Sequence, residues 1–368
     1  MPMEEMTQSA SALDAIQVAL AQGIPLTREQ ALYLYHEAPL LTLGRMAAAR
    51  RVALHPEGEV SFVVDRNVNY TNICSCQCRF CAFYRDISDP QGYVLSTDEI
   101  CAKVEELVEC GGTQLLMQGG IHPELSLSWF EELFTHLRQR FPSVQIHSLS
   151  PAEVVHLAAH AGLGLRECIQ RLQAAGLESI PGGGAEVLVD AVRSHISPNK
   201  IGWRKWAEVM EVAHSLGMKT TATLMFGCGE TPEQLIEHLL RVREIQARSG
   251  GFTAFISWSY QPDNTELGRE IRAGATGTDY LRVVALSRLV LDNIPNIQAS
   301  WVTQGARMAQ VALRFGANDM GGTMLEENVV AAAGVSFRMS QAEIIHLIRS
   351  AGFTPVRRTT GYQVLERY

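Results

Sequence analysis

Residues 219–258 read KTTATLMFGCGETPEQLIEHLLRVREIQARSGGFTAFISW. The first eight, Lys219–Phe226, form a short run of β-branched and apolar residues that reads as a strand. Glycines at 227 and 229 then interrupt it. Thr231, Pro232 and Gln234 supply an N-cap, a proline at the first helical position and a capping-box partner. Behind them Leu235, Leu239 and Val242 recur at helical spacing and share one face. A second short apolar run, Phe252–Trp258, follows. Strand, helix, strand in this order is the unit that builds parallel strands joined by right-handed crossovers.

The same rhythm extends in both directions. Val60–Val64 reads as the first strand, and Ser96 with Glu99 makes a capping box. That box opens a helix whose Ile100, Val104, Leu107 and Val108 share a face, ending at Gly111. Strands are expected at Thr113–Met117, Val144–Ser148 and near Glu178–Ile180, with helical patterns over 129–141, 156–176 (broken by glycines) and 203–217. Downstream, IQASWVT (297–303) reads as a seventh strand after the helix at 279–294, and an eighth is expected near Phe315–Asp319. The architecture expected is α/β: a TIM-type (β/α) barrel, complete or nearly so, over residues 56–325. Residues 1–55 read as a helical extension too short for a core of its own, and 326–368 as C-terminal helices and an arm. The competing architecture is an open doubly wound sheet, but no G-x-G-x-x-G phosphate loop follows the first strand.

With 368 residues, 46% hydrophobic and 19% charged, the chain has material for a large core, which excludes a disordered protein. No apolar run approaches the roughly 18 residues that span a bilayer, so no membrane role is expected. The N-terminus, MPMEEMTQSASALDAIQ, carries acids where a secretory signal would carry Lys or Arg. A cytoplasmic location is the reading. A net charge of −8 argues against nucleic acid as a partner.

Eight cysteines in such a chain do not make a disulfide framework. Cys101, Cys110, Cys168 and Cys228 are scattered, as small buried hydrophobes usually are. Cys74, Cys76, Cys78 and Cys81 are bunched in NVNYTNICSCQCRFCAFYRD, directly after the first strand. Cys74-x3-Cys78-x2-Cys81 offers three thiolates at the strand end where barrel enzymes keep their chemistry. Three is the number that holds three irons of a [4Fe–4S] cluster and leaves the fourth open to a small molecule. A structural zinc site is the bland alternative; it would recruit Cys76, but four ligands within eight residues crowd a tetrahedron. Cys76 is read as a non-ligand.

This spacing, with the aromatics of Cys81-Ala-Phe-Tyr84, is similar to the radical S-adenosylmethionine superfamily. The resemblance implies a [4Fe–4S] cluster and S-adenosylmethionine as cofactors, with Cys74, Cys78 and Cys81 as cluster ligands and Tyr84 seating the adenine. It implies reductive cleavage to a 5′-deoxyadenosyl radical that abstracts a substrate hydrogen, and an electron donor such as flavodoxin or ferredoxin. Gln118 and Gly119 after the second strand, Gly183 and Glu186 in PGGGAE, and Gly227 are the further cofactor-binding candidates. Glycines after strands are also ordinary tight turns, and only their shared position at strand C-terminal ends raises them.

The blocks NVNYTN, PGGGAE, RSHISPNK, QPDNTEL, SWVTQG and GANDMGGTMLEENVVAAAG resemble, over roughly residues 50–335, the branch that makes futalosine-derived menaquinone precursors and deazaflavin chromophores. QPDNTEL and GANDMGGTMLEEN favour its spiro-cyclising members. These are implied to take dehypoxanthine futalosine, abstract the ribose 4′ hydrogen, add the carbon radical to the aromatic ring and lose a ring proton. The sister reactions couple an adenosyl radical to an enolpyruvyl benzoate, or join a tyrosine-derived fragment to a pyrimidine. A non-catalytic iron–sulfur or zinc protein is the reading from another class. Under the cyclase reading Arg85, Asn318, Asp319, Thr323 and Glu327 are candidates for substrate binding, and Glu186, Asp319 and Glu326 for the base. Met117, Phe226, Trp258 and Trp301 are expected to wall a dry interior.

Overall fold

The computed structural model describes the backbone of residues 3–368 and side chains from residue 12. Among them, eleven strands form one sheet. They are β1 Glu59–Val63, β2 Asp65–Val68, β3 Gln114–Met117, β4 Gln145–Ser148, β5 Leu177–Ile180, β6 Lys219–Phe226, β7 Phe252–Ser259, β8 Asn296–Gln298, β9 Asp319–Gly322, β10 Thr354–Arg358 and β11 Val364–Arg367. Their order is β11-β10-β1-β9-β8-β7-β6-β5-β4-β3-β2, and every neighbouring pair is parallel except β10–β11.

β1 and β2 are two halves of one extended run, parted only by Val64, and through them the sheet closes. On one side the amides of Thr323 and Leu325 bond the carbonyls of Val63 and Asp65; on the other the Thr113 amide bonds the Val64 carbonyl. One backbone thus serves both neighbours, and eight parallel strands close into a complete barrel. The capping boxes expected at Ser96 and Thr231 form, and Ser150 and Thr276 make two more. Ser96, Ser150, Thr231 and Thr276 each accept from the N3 amide, with Glu99, Glu153, Gln234 and Asp279 reciprocating.

Two expected boundaries move. β8 stops at Gln298, and SWVT turns into the helix Trp301–Ala312. The Ser300 amide bonds the Tyr280 hydroxyl at 2.7 Å, and Trp301 Nε1 donates to the Gly322 carbonyl at 3.0 Å. These tertiary bonds override the β-propensity of Val302 and Thr303. The last barrel strand begins at Asp319 instead of ending there, because Leu313–Phe315 is a 3-10 turn closed by Gly316 at φ +102°. A Cβ at Gly316 would lie 2.8 Å from Arg288 Cβ, so the turn is built on glycine.

The C-terminal arm is a hairpin that also joins the main sheet. β10 runs parallel to β1, pairing Glu59 with Thr354. The turn after it reaches beneath the barrel, where the Thr360 amide bonds Gln145 Oε1 at the start of β4. At the other end of the chain, Arg282 on the helix Gly277–Val290 donates to the carbonyls of Leu34, Tyr35 and Ala38, tying the N-terminal helices to the barrel wall. No helix among the described residues is long and apolar enough to cross a membrane.

Candidate active site

The cysteine loop leaves β2 at the C-terminal rim and is held by backbone bonds to several elements. Cys74 N bonds the Arg85 carbonyl, Ser75 N the Ile121 carbonyl, Arg79 N the Ile196 carbonyl and Cys81 N the Cys78 carbonyl. Asn72 pins the loop's return, donating to the Gln91 carbonyl and accepting from the Tyr93 amide. Cys74, Cys76, Cys78 and Cys81 all line one cavity of about 210 Å³, with Tyr84, Gln118, Gly119, Gly183, Glu186 and Lys200 on its other walls.

The thiols differ in circumstance. Cys76 Sγ lies 3.7 Å from the Asn199 carbonyl oxygen. A hydrogen bond from Cys76 draws the Cys74 thiol below its ordinary pKa, while the same bond and burial hold Cys76 protonated. Burial pushes Cys78 up to about 12 and raises Cys81 as well. Lys200, buried beside them and held by Glu186 Oε1 at 2.9 Å, offsets negative charge at all four sulfurs. Among the described residues, no group of three or more His, Cys, Asp or Glu side chains is spaced to hold a single metal ion. In a cluster each thiolate would bind a different iron, and ligation would remove the thiol proton.

The cofactor-binding candidates cluster where expected, with one exception. Gly119 N bonds Glu153 Oε1 at 3.3 Å, and Glu153 also accepts from Ser150 N at 2.6 Å and the Tyr70 hydroxyl at 2.7 Å. Burial raises this carboxyl's pKa, and its hydrogen bonds oppose that shift. Gly183 lies so close to Gln118 that an added Cβ would come within 2.5 Å of its Nε2. Glu186, at φ +41°, sits between Lys200 and Arg193, the latter at 3.3 Å. Gly227 does not line the cavity; its amide and that of Cys228 are taken by Glu230. Gly120 is packed hard against the cysteine loop, since an added Cβ would lie 2.1 Å from the Ile73 carbonyl and 2.8 Å from Cys74 Cβ. Gly120→Ala must therefore push back the cysteine loop. A severalfold loss of bound iron after reconstitution is expected, read by iron assay on protein of wild-type secondary structure.

A second cavity of about 310 Å³ continues from the first into the barrel, sharing Asn69, Gln118, Gly183, Gly184, Glu186 and Trp258 with it. Asp65 and Asn67, two apart on β2, both face it, with Gln114 on β3 and His147 on β4. Trp258 and Trp301 wall it as expected, whereas Met117 and Phe226 are core behind it. Arg358, Thr360 and Tyr362 close its floor from the C-terminal arm. Asn67 Oδ1, His147 Nδ1, Thr360 Oγ1 and the Tyr362 hydroxyl are buried without a hydrogen-bond partner, and all four residues line this chamber. Burial, helped by Arg358, pushes His147 down to about 3, so it is neutral.

Several candidates fall elsewhere. Asn318 precedes β9 and Asp319 starts it, so both sit at the end of the barrel away from the rim, which follows from the shifted strand boundary. Asn318 Oδ1 accepts from Arg288 and its Nδ2 bonds Asn296 Oδ1. Asp319 takes both prongs of Arg358, Nε–Oδ2 at 2.5 Å and Nη2–Oδ1 at 3.0 Å. Thr323 brackets the backbone of Asp65. Glu326 is neutralised by Arg66 at 3.0 Å and Lys103 at 2.6 Å outside the chamber. Arg85 staples the cysteine loop by donating to the carbonyls of Ala82, Phe83 and Tyr84. Glu327 does line the chamber, but its oxygens cap the amides of Val329, Val330 and Ala331. Asp65, Asn67, His147, Arg358, Thr360 and Tyr362 are among the chamber residues outside the candidate set, His147 having the look of a satisfied core histidine. For the first three the signal was present: polar side chains at inward positions of DRNV and QIHS, where a packed core would use apolar ones.

Comparison with known proteins agrees with this geometry. Residues 68–242 match the radical SAM superfamily and residues 249–368 match the CofH/MqnC C-terminal region. The chain is 44% identical over 358 residues to a cyclic dehypoxanthine futalosine synthase of Halalkalibacterium halodurans, covering 97% of this chain and 96% of that protein. It is 43% identical over 352 residues to a 5-amino-6-(D-ribitylamino)uracil–L-tyrosine 4-hydroxyphenyl transferase of Methanothermobacter thermautotrophicus, covering 94% and 96%. Among solved structures, the [FeFe]-hydrogenase maturase HydG superposes with a TM-score of 0.75 at 14% identity, over 98% of this chain and 80% of that one, a likeness of fold alone. With a cysteine-lined cavity at the rim of a parallel barrel and such identity along nearly its whole length, the chain belongs to the radical S-adenosylmethionine superfamily, enzymes that work with a [4Fe–4S] cluster and S-adenosylmethionine.

Proposed function

We propose that the protein cyclises dehypoxanthine futalosine in menaquinone biosynthesis. The hydrogen is taken from the ribose 4′ carbon, the carbon radical adds to the aromatic ring to close a spiro ring, and a ring proton and an electron leave. Cys74, Cys78 and Cys81 would hold the cluster, which with S-adenosylmethionine would supply one-electron, hydrogen-abstracting radical chemistry. The chain's own residues do the rest. Tyr84, Gln118, Gly119, Gly183 and Glu186 hold the cofactor in the outer cavity, with Lys200 countering its negative surroundings. Trp258 and Trp301 exclude water around the radical. The unpartnered groups of Asn67, His147, Thr360 and Tyr362 are free to bond substrate oxygens, fixing both halves of one molecule for ring closure. A small one-electron carrier of flavodoxin or ferredoxin type is the reductant, and the reaction runs in the cytoplasm.

What supports this reading over its sister is the pair of blocks QPDNTEL and GANDMGGTMLEEN, and the inner chamber of about 310 Å³ has room for a ligand beside the cofactor cavity. The transferase similar to this chain is named for two substrates, tyrosine and a ribitylaminouracil. An anaerobic assay with reconstituted cluster, dithionite, S-adenosylmethionine and dehypoxanthine futalosine tests it by mass spectrometry. The expected product is two hydrogens lighter than substrate and forms with 5′-deoxyadenosine. Product only from tyrosine plus the ribitylaminouracil would transfer the protein to the sister reaction. A fully loaded cluster that never cleaves S-adenosylmethionine would leave an electron carrier.

A further inference from the structure

The cyclisation needs a base inside the chamber, and the carboxylates there are unequally free. Glu186 is engaged by Lys200 and Arg193. Glu327 spends both oxygens on the amides of a helix start. Asp319 and Glu326 lie outside the lining, each in ion pairs. Asp65 remains. It is 1% exposed, lines the chamber, and forms no ion pair; only the Met324 amide at 2.8 Å and Gln114 Nε2 at 3.2 Å bond it, one to each oxygen. Each oxygen so keeps acceptor capacity.

We propose that Asp65 is the catalytic base of the ring closure, an assignment that rests on the cyclase reading above. After the sugar radical has added to the ring, the ring C–H bond breaks. Its electron pair stays on carbon and restores aromaticity, and the proton bonds to a carboxylate oxygen of Asp65. The extra electron left on the aryl ketone then passes to a one-electron acceptor of the iron–sulfur class. The groups facing Asp65 are Arg358, which favours its ionised form, and Asp319, which opposes it; His147 across the chamber is neutral. Burial outweighs these and raises Asp65 to about 6, so it is ionised at neutral pH yet holds a proton well. His147, held near 3, is about a thousandfold weaker as a base.

Asp65→Asn keeps the shape and the Met324 bond, and removes a buried charge that has no partnering cation. Its melting temperature at neutral pH is expected to equal or exceed that of wild type. Substrate binding, followed through fluorescence of Trp258 and Trp301, should be retained. Formation of 5′-deoxyadenosine should continue while product falls by about 10²–10⁴. In wild type, the ratio of product to 5′-deoxyadenosine should drop as pH falls through about 6, where Asp65 takes its proton. An unchanged ratio in Asp65→Asn would overturn the assignment, as would parallel loss of both products in a folded, substrate-binding variant. So would a wild-type ratio flat from pH 5 to 8. Absence of product from wild type itself would instead refute the cyclase reading, which separates the two failures.

Discussion

Cys74→Ala, Cys78→Ala and Cys81→Ala are each expected to lose most bound iron and all measurable 5′-deoxyadenosine formation, whereas Cys76→Ala retains iron and stays within about tenfold of wild-type activity. Each of the three thiolates would hold a separate iron, so no remaining ligand can stand in for a missing one. Cys76 is placed differently: it is 6% exposed and its sulfur lies 3.7 Å from the Asn199 carbonyl. Its loss removes a hydrogen bond that lowers the Cys74 pKa, a supporting effect and not a ligand. Iron analysis and chromatography of 5′-deoxyadenosine on reconstituted protein decide it. A dead Cys76→Ala with full iron content would contradict the assignment, and iron retained in Cys78→Ala would refute the three-thiolate site.

Asp319→Ala is expected to cost about 3–5 kcal/mol of stability, because it strands the Arg358 guanidinium in the barrel floor. Arg358 is 4% exposed and Asp319 fully buried, with bonds at 2.5 and 3.0 Å between them and a further one from Ser61 Oγ at 2.5 Å. Asp319 holds Arg358 charged against the burial that would discharge it. The double variant Asp319→Leu, Arg358→Met, which leaves no unpaired charge, should recover most of the loss. Urea midpoints of the three proteins measure this. A single variant as stable as wild type would show that the arm does not depend on the pair. The effect reaches function because Thr360 and Tyr362 follow Arg358 directly and form the chamber floor. A loosened arm should raise the substrate KM while leaving uncoupled cofactor cleavage intact.

How much of the site was legible can be argued residue by residue. The cysteine loop, Tyr84, Gln118, Gly119, Gly183 and Glu186 line one cavity, and their signals are local: a fixed spacing, or glycines directly after an apolar run. Asn318 and Asp319 were misplaced because one boundary moved. Read as the end of a strand, they belong on the rim; at its start, they lie at the opposite end and anchor Arg358 and Arg288. Glu326 looked free in MLEEN, but Arg66 and Lys103 come to it from elements more than two hundred residues earlier. Nothing in those few letters carries that information.

Sequence by itself determined the alternation of strands and helices, the caps that start the helices, and the thiolate loop. These rest on interactions within a few residues of the chain, such as side-chain periodicity, N-cap bonds and turn geometry. Tertiary structure alone decided which polar side chains share the chamber. The barrel closes through the split run β1–β2, and the hairpin β10–β11 returns from the far end of the chain to seal its floor. Closure depends on hydrogen bonds between residues such as Val63 and Thr323, and Gln145 and Thr360, far apart in sequence. Asp65 acquires its raised pKa and its place in the chamber wall only when that ring is complete, because desolvation belongs to the assembled interior and not to the residue.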